Sequence, residues 1–243
     1  VESVKLQQLK EEIIALLDAG GAPLAGIADL TLVPEALKMY ADSRLTGFVR
    51  AVSYLVPFPR SVVAELQEGP SLTYLHYYRA VNTRIDDLAL QVTTLLERKG
   101  FSAFPVPSSQ RTGKHKLESI FPHRLAARLA GLGWIGKSGC LVNRTYGPRL
   151  RLGTVLSSAP LPADKPAEIL CRECTACTRA CPSGAIKGKL FLPEMPLSER
   201  LEPELCDRYL DRVRDRFGKR ICGLCLAACP FGKPGSDPED GNQ

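Results

Sequence analysis

Eight of the nine cysteines lie between residues 171 and 229, at spacings that leave few folds open to the last third of the chain. The first set is Cys171-x-x-Cys174-x-x-Cys177-x-x-x-Cys181-Pro182. This is the run of bacterial two-cluster ferredoxins, in which the fourth cysteine ligates the other cluster. The second set is Cys206, then Cys222-x-x-Cys225-x-x-x-Cys229-Pro230. Crossing the fourth cysteines over gives two complete [4Fe-4S] sites: Cys171, Cys174, Cys177 and Cys229, and Cys181, Cys206, Cys222 and Cys225. Soft thiolates in tight loops are the ligands such iron requires. Structural zinc shares the Cys-x-x-Cys pair but has no need of a Cys-x-x-x-Cys-Pro ending. A disulfide framework suits short secreted chains, whereas this one has 243 residues and opens without a signal-peptide pattern. The ninth cysteine, Cys140, follows Gly139 and opens the apolar run Cys140-Leu141-Val142. With no base beside it, it reads as a small buried hydrophobe.

The formal charge of +6 overstates the basic character of the chain. Each four-iron cluster with its thiolates carries about −2, so the loaded protein would be nearly neutral. Generic nucleic-acid binding therefore finds little support in net charge. No apolar stretch reaches membrane-spanning length, no targeting pattern opens the chain, and reduced thiolates suit a reducing compartment. The expectation is a cytoplasmic protein with no membrane partner.

The hydrophobic pattern divides the chain near residue 160. Residues 1–160 alternate helical and strand patterns and predict an α/β (α+β) domain. Helices are expected over Leu6–Leu17, Leu75–Lys99 and Pro122–Ala130. Strands are expected over Leu24–Leu30, Val49–Leu55, Phe101–Val106, Cys140–Asn143 and Arg149–Leu156. Pro160 to Pro166, with three prolines, reads as a stiff linker. Residues 161–233 form the cluster domain, with a charged helix over Pro203–Arg216. Residues 234–243 are Gly-, Pro- and acid-rich and read as a disordered tail.

The segment Gly131-Leu132-Gly133-Trp134-Ile135-Gly136-Lys137-Ser138 matches both the dinucleotide fingerprint and the P-loop. Both motifs need a strand before and a helix after, so that phosphate meets a helix N-terminus. Here a helical run precedes and a strand-like run follows, which argues against a nucleotide. Glycines also permit close backbone approach to a different, large planar group.

This loop, the stretch from Gly147 to Leu156 and the two cysteine sets together resemble the epoxyqueuosine reductase family. That family is related to reductive dehalogenases. The resemblance implies a nitroreductase-like, cobalamin-binding domain followed by a ferredoxin-like domain with two [4Fe-4S] clusters. It points to Gly131, Gly133, Trp134, Gly136, Lys137 and Ser138 as cofactor-binding residues. Two departures stand out. The family's catalytic Asp has no counterpart in Phe104-Pro105-Val106-Pro107-Ser108-Ser109, and the chain stops shortly after Cys229, as in a short form without the C-terminal extension. The implied function is an iron–sulfur oxidoreductase acting through cobalamin on a small-molecule or corrinoid substrate, fed by an external low-potential electron donor. tRNA is not an expected partner. The alternatives are an electron-transfer protein that reduces a corrinoid or partner enzyme, and a flavin-dependent reductase. His115 and His123 are the candidate catalytic proton donors, because imidazole titrates near neutral pH. Arg111 and Lys114 lie in the same loop as His115. Arg144, Tyr146, Arg149 and Arg151 are candidates to meet an anionic group or to form a solvated edge.

Overall fold

The computed structural model describes residues 2–33, 45, 47–67, 69–109 and 119–233. In chain order its helices and strands are α1 (Glu2–Ala19), β1 (Leu24–Asp29), β2 (Arg50–Pro57), α2 (Arg60–Ala64), α3 (Leu72–Arg98), β3 (Ala103–Val106) and α4 (His123–Leu129). There follow β4 (Trp134–Ile135), β5 (Leu141–Val142), β6 (Leu150–Ser157), α5 (Ala176–Arg179), α6 (Leu197–Arg200), α7 (Pro203–Phe217) and α8 (Leu224–Ala228). The expected tail, 234–243, lies outside the described residues.

Four strands form one sheet in the order β1-β2-β6-β3, and β4 pairs with β5 in a small hairpin. β1 runs antiparallel to β2, and β3 to β6. Between the central strands, Val49 N–H donates to Ser157 O and Phe58 N–H to Arg149 O, a pairing that also runs antiparallel. An antiparallel sheet with helices makes this an α+β architecture. β2 and β6 are buried along nearly their whole length rather than on alternate residues, as expected of central strands covered on both faces.

The chain forms two compact units, each drawn from three separate segments of the sequence. One comprises residues 1–56, 80–134 and 151–168; the other comprises 57–79, 135–150 and 169–243. The change at 168/169 lies near the division expected at residue 160. The cysteine-bearing unit, however, also takes two earlier pieces that hydrophobic periodicity could not assign to it.

In the first unit, α1 buries Leu9, Ile13 and Leu17 at helical spacing and packs on β1, as does α4. α3 buries Val81, Ile85, Leu88, Val92 and Leu96, a stripe that leaves Leu90 on the outer face. The Pro160–Pro166 segment is not a free linker. Leu161 is fully buried. Asp164 N–H donates to Ile27 O and its carboxylate accepts from Ile27 N–H, both at 2.8 Å, while Lys10 Nζ lies 2.7 Å from Asp164 Oδ1. β1 is an edge strand whose backbone groups need partners. One Asp supplies both a donor and an acceptor in a segment whose three prolines have no N–H to offer.

In the second unit, the turn after β5 meets the chain just beyond Cys229. A Cβ on Gly147 would lie 2.0 Å from Phe231 O, and one on Gly232 would lie 2.4 Å from the Tyr146 carbonyl carbon. Two backbones touch here because neither residue has a side chain. Phe58, Tyr74 and Tyr78 pack in a row with tilted and edge-on rings, centroids 5.2 and 6.3 Å apart.

Gly153 serves the same purpose in the first unit. Its missing Cβ leaves room for the buried Tyr54 ring, whose hydroxyl donates to Ile85 O at 2.7 Å. An added methyl would lie 2.1 Å from Tyr54 Cζ. Gly153→Ala is therefore expected to destabilise the protein by about 1–3 kcal/mol through overpacking, read as a lower urea midpoint with unchanged m-value.

Candidate metal centre

Three of the cysteines lie on helices of the second unit, and the others lie in loops. α5 carries Cys177, α7 carries Cys206 and α8 carries Cys225. α7 opens with Pro203 in its first turn and closes at Gly218, whose N–H donates to Arg214 O at 2.7 Å. Arg220, in the loop that follows, reaches back to Asp207 and Asp211, one turn apart on α7. Asp207 follows Cys206, and Arg220 precedes Cys222 by two residues, so the clamp draws these two cysteines together.

The thiols fall into two neighbourhoods. Cys229 faces Cys171, Cys177 and Cys174, although it comes from the second sequence set. Cys206 faces Cys222 and Cys181, and Cys222 and Cys206 face Cys225. None of the nine is in a disulfide. Among the described residues no three His, Cys, Asp or Glu side chains converge on a single metal-ion position. A four-iron cube offers each thiolate its own iron, so its ligands need not converge on one point. Leaving Cys140 aside, each neighbourhood holds four thiols outside any disulfide, a donor set that suits a [4Fe-4S] cluster.

Burial pushes the Cys229 thiol up to about 12, and the facing thiols of Cys171, Cys177 and Cys174 add to this, while a Phe231 backbone bond opposes it. Burial likewise raises Cys177 and Cys206, again with help from neighbouring thiols. For Cys181 burial also acts upward, but bonds from the Ser183 hydroxyl and from the backbone at Ser183, Ala185 and Ile186 outweigh it and lower the thiol. Cys225 is raised well above its ordinary value, first by a hydrogen bond with Cys140 and then by burial. Crowded thiols resist ionisation; bound iron supplies the positive charge that makes them thiolates.

The glycine-rich segment runs from α4 into the β4–β5 hairpin, so helix precedes and strand follows. Gly131 is exposed and Ser138 half-exposed, whereas Gly133, Trp134, Gly136 and Lys137 are buried. The hairpin turn closes through Gly136 N–H to Cys140 O, 2.8 Å, and Gly139 N–H to Gly136 O, 2.9 Å. Lys137 Nζ donates to Cys174 O at 3.0 Å. A Cβ on Gly136 would lie 3.5 Å from Cys171 Sγ. The lysine that mimics a P-loop thus holds a cysteine loop.

His115, Arg111 and Lys114 lie outside the described residues. His123 begins α4, with Nδ1 2.8 Å from Thr154 Oγ1 and Nε2 3.0 Å from Pro107 O. A carbonyl can only accept, so Nε2–H donates to it and Nδ1 accepts the Thr154 hydroxyl. Burial lowers this imidazole to about 4; the Pro107 bond opposes the shift, and Arg151 and Arg124 add to it. A neutral ring with both nitrogens engaged has no proton free for a substrate. Arg151 gives its Nε–H to Asn82 Oδ1 at 2.8 Å and a second N–H to Ser108 O at 2.9 Å. Arg149 donates to Phe58 O at 2.5 Å and lies over the Tyr146 ring at 5.3 Å. These two arginines are internal ties rather than a solvated edge. Arg144 is exposed. Asp86 of α3, absent from the expected site, binds Ser108 through its N–H (2.8 Å) and hydroxyl (3.0 Å). No spacing rule links residues 86 and 108. Cys140, read as a hydrophobe, stands among the thiols of the second neighbourhood.

Residues 170–232 match the family described as a 4Fe-4S double cluster binding domain, which makes this segment an iron–sulfur cluster-binding domain. The chain is related in sequence to epoxyqueuosine reductases along nearly its whole length. It is 26% identical to the enzyme of Aliivibrio fischeri over 241 residues, covering 95% of this chain and 61% of that protein. It spans less than two thirds of the length of the curated relatives it matches. Its fold is that of a crystal structure of epoxyqueuosine reductase with an epoxyqueuosine-modified tRNA-Tyr stem loop, with TM-score 0.64 and 20% identity over 94% of this chain and 66% of the other. It is also that of a reductive dehalogenase whose structure suggests a mechanism for B12-dependent dehalogenation, with TM-score 0.73 and 21% identity over 94% of this chain and 33% of the other. Among the described residues no helix is long and apolar enough to cross a membrane.

The His123 contacts carry a pH signature. The folded ring titrates near 4 and an unfolded one near its ordinary 6.5, so between these values the unfolded chain binds more protons. The associated stability is present above pH 6.5 and lost as pH falls toward 4. Between pH 7 and 5 the loss should be of the order of 2 kcal/mol. His123→Gln should show a smaller fall in melting temperature over that interval than the unaltered protein, with the carboxylate contributions common to both.

Proposed function

We propose that this chain carries the redox core of a two-cluster iron–sulfur reductase. The first cluster would be held by Cys171, Cys174, Cys177 and Cys229, and the second by Cys181, Cys206, Cys222 and Cys225. The observation that carries this is the exchange of cysteines between sequence sets: Cys229 lies with the first three, while Cys181 lies with Cys206 and Cys222. Bound clusters supply one-electron transfer at low potential. The chain's own residues set the ligand positions. Lys137 ties the Cys174 carbonyl, Arg220 fixes α7 to the Cys222 loop, and the Ser183 hydroxyl reaches the Cys181 sulfur at 3.3 Å.

Cobalamin is the proposed electron acceptor, supported by the B12-dependent chemistry suggested for a protein of the same fold. The glycine-rich residues do not by themselves make its cradle. Gly133, Trp134, Gly136 and Lys137 are packed inside the protein, which leaves Gly131 and Ser138 with surface to offer. Nothing in the fold or the relatives favours a flavin. The substrate is proposed to be a small molecule other than epoxyqueuosine in tRNA. The reading is supported by the stretch 104–109, which holds no Asp and whose Ser108 is already engaged by Asp86 and Arg151.

Anaerobic reconstitution with iron, sulfide and cobalamin tests the reading. About eight irons per chain are expected, two clusters of four. Cobalamin absorbance should persist through gel filtration. Zinc in place of iron, or half the iron, would refute the ligand assignment. Clusters without retained cobalamin would leave an electron-transfer protein. Turnover of epoxyqueuosine-containing tRNA with a reduced donor would overturn the substrate proposal.

A further inference from the structure

The two Cys-Pro endings differ in the residue that follows them. Cys229-Pro230 continues with Phe231, whereas Cys181-Pro182 continues with Ser183. Proline has no N–H to give a neighbouring sulfur, so the next residue supplies the first side chain that could. The Ser183 hydroxyl lies 3.3 Å from Cys181 Sγ. Its oxygen accepts the Ala185 N–H, also at 3.3 Å, which leaves the hydroxyl hydrogen for the sulfur. The loop that carries it is tied at both ends. Gly184 N–H donates to Cys181 O at 3.2 Å and closes the turn 181–184. Glu202 N–H donates to Ala185 O at 2.9 Å and Lys187 N–H to Arg200 O at 3.0 Å, so that Ile186 pairs with Leu201 just before α7. Ala185 and Ile186 are buried, which leaves the turn little freedom to swing the hydroxyl away.

We propose that Ser183 is a positioning residue for the second cluster: its hydroxyl donates to the Cys181 sulfur and holds that cluster at a higher reduction potential. This rests on the two-cluster reading above. A free thiol and a hydroxyl could each donate to the other. An iron-bound thiolate has no hydrogen, so with the cluster in place the serine is the donor. Bonds to ionised acceptors are the stronger kind. One electron from an external low-potential reductant makes the cluster more negative, with no bond made or broken. A donor aimed at a ligand sulfur stabilises that added charge, and hydrogen bonds to the sulfurs are among the factors that set cluster potentials. Phe231 has no hydroxyl, so this bond separates the two clusters in potential and biases the electron toward the second.

The test is a mediated redox titration of the reconstituted full chain, followed by electron paramagnetic resonance, with iron measured in parallel. Ser183→Ala should keep about eight irons per chain. Of the two one-electron waves, the one altered in Cys206→Ser should move to lower potential. The expected change is about tenfold in reduced fraction at fixed potential, which is about 59 mV for a one-electron couple. The other wave should stay in place. Ser183→Thr keeps a hydroxyl, and its added methyl has room in the groove that Ser183 shares with Leu205 and Arg208. It should recover most of the shift. Eight irons with both waves unmoved in Ser183→Ala overturns this inference alone. So does a shift that Ser183→Thr fails to recover, or loss of half the iron in Ser183→Ala, since either makes the serine a packing residue. Unaltered protein that binds no pair of clusters overturns the inference together with the reading beneath it.

Discussion

Gathering eight thiols into one small unit is first a problem of charge. Partly buried thiols that face one another oppose each other's ionisation, and here Cys177, Cys206, Cys225 and Cys229 are raised, Cys229 to about 12. Such an arrangement is favourable only with a compensating cation, and iron in four-metal cubes is the cation whose ligand spacing this chain reproduces. The surrounding polar groups follow the same need. Ser183 and the backbone at 185 and 186 support Cys181, Arg220 neutralises the acid pair beside Cys206, and Lys137 carries a positive charge to the Cys174 loop.

Close backbone approach is the second organising constraint. At Gly147 and Gly232 two loops meet with no side chain between them, one leading from the hairpin and one following Cys229. At Gly136 the hairpin turn meets Cys171 in the same way. The glycine-rich segment that imitates nucleotide motifs is therefore spent largely on packing. Its lysine is buried and bonded, its tryptophan is core, and its turn is stapled to cysteine loops.

The same economy limits the candidate catalytic groups. His123 is held neutral between Thr154 and Pro107, and Arg151 bridges Asn82 and Ser108. These side chains fix the end of β3 and the start of α4. A chain of the same fold as epoxyqueuosine reductases and reductive dehalogenases thus shares their scaffold. The residues at this end of the first unit are tied to one another.

Much of this was legible in the cysteine spacing, because ligand geometry is local: three thiolates on one cube must come from one tight loop, and the fourth spacing announces a partner site. The longer helices and strands followed from apolar periodicity, within a few residues at each end, whereas the short α2, β4, α5, α6 and α8 were not anticipated, being too short to show a period. What the sequence could not decide are the contacts that join distant positions. Pro160–Pro166 has the composition of a linker, yet Asp164 satisfies an edge strand far upstream. Arg149 and Arg151 alternate like a solvated strand face, yet they reach Phe58, Asn82 and Ser108. Cys140 lacks any motif, yet the closure of a hairpin delivers it to Cys225. Periodicity reports which face of an element is buried, not what covers it. Only the tertiary structure brings residue 140 to 225 or residue 164 to 27, because those pairings depend on how separate elements pack and not on any local pattern.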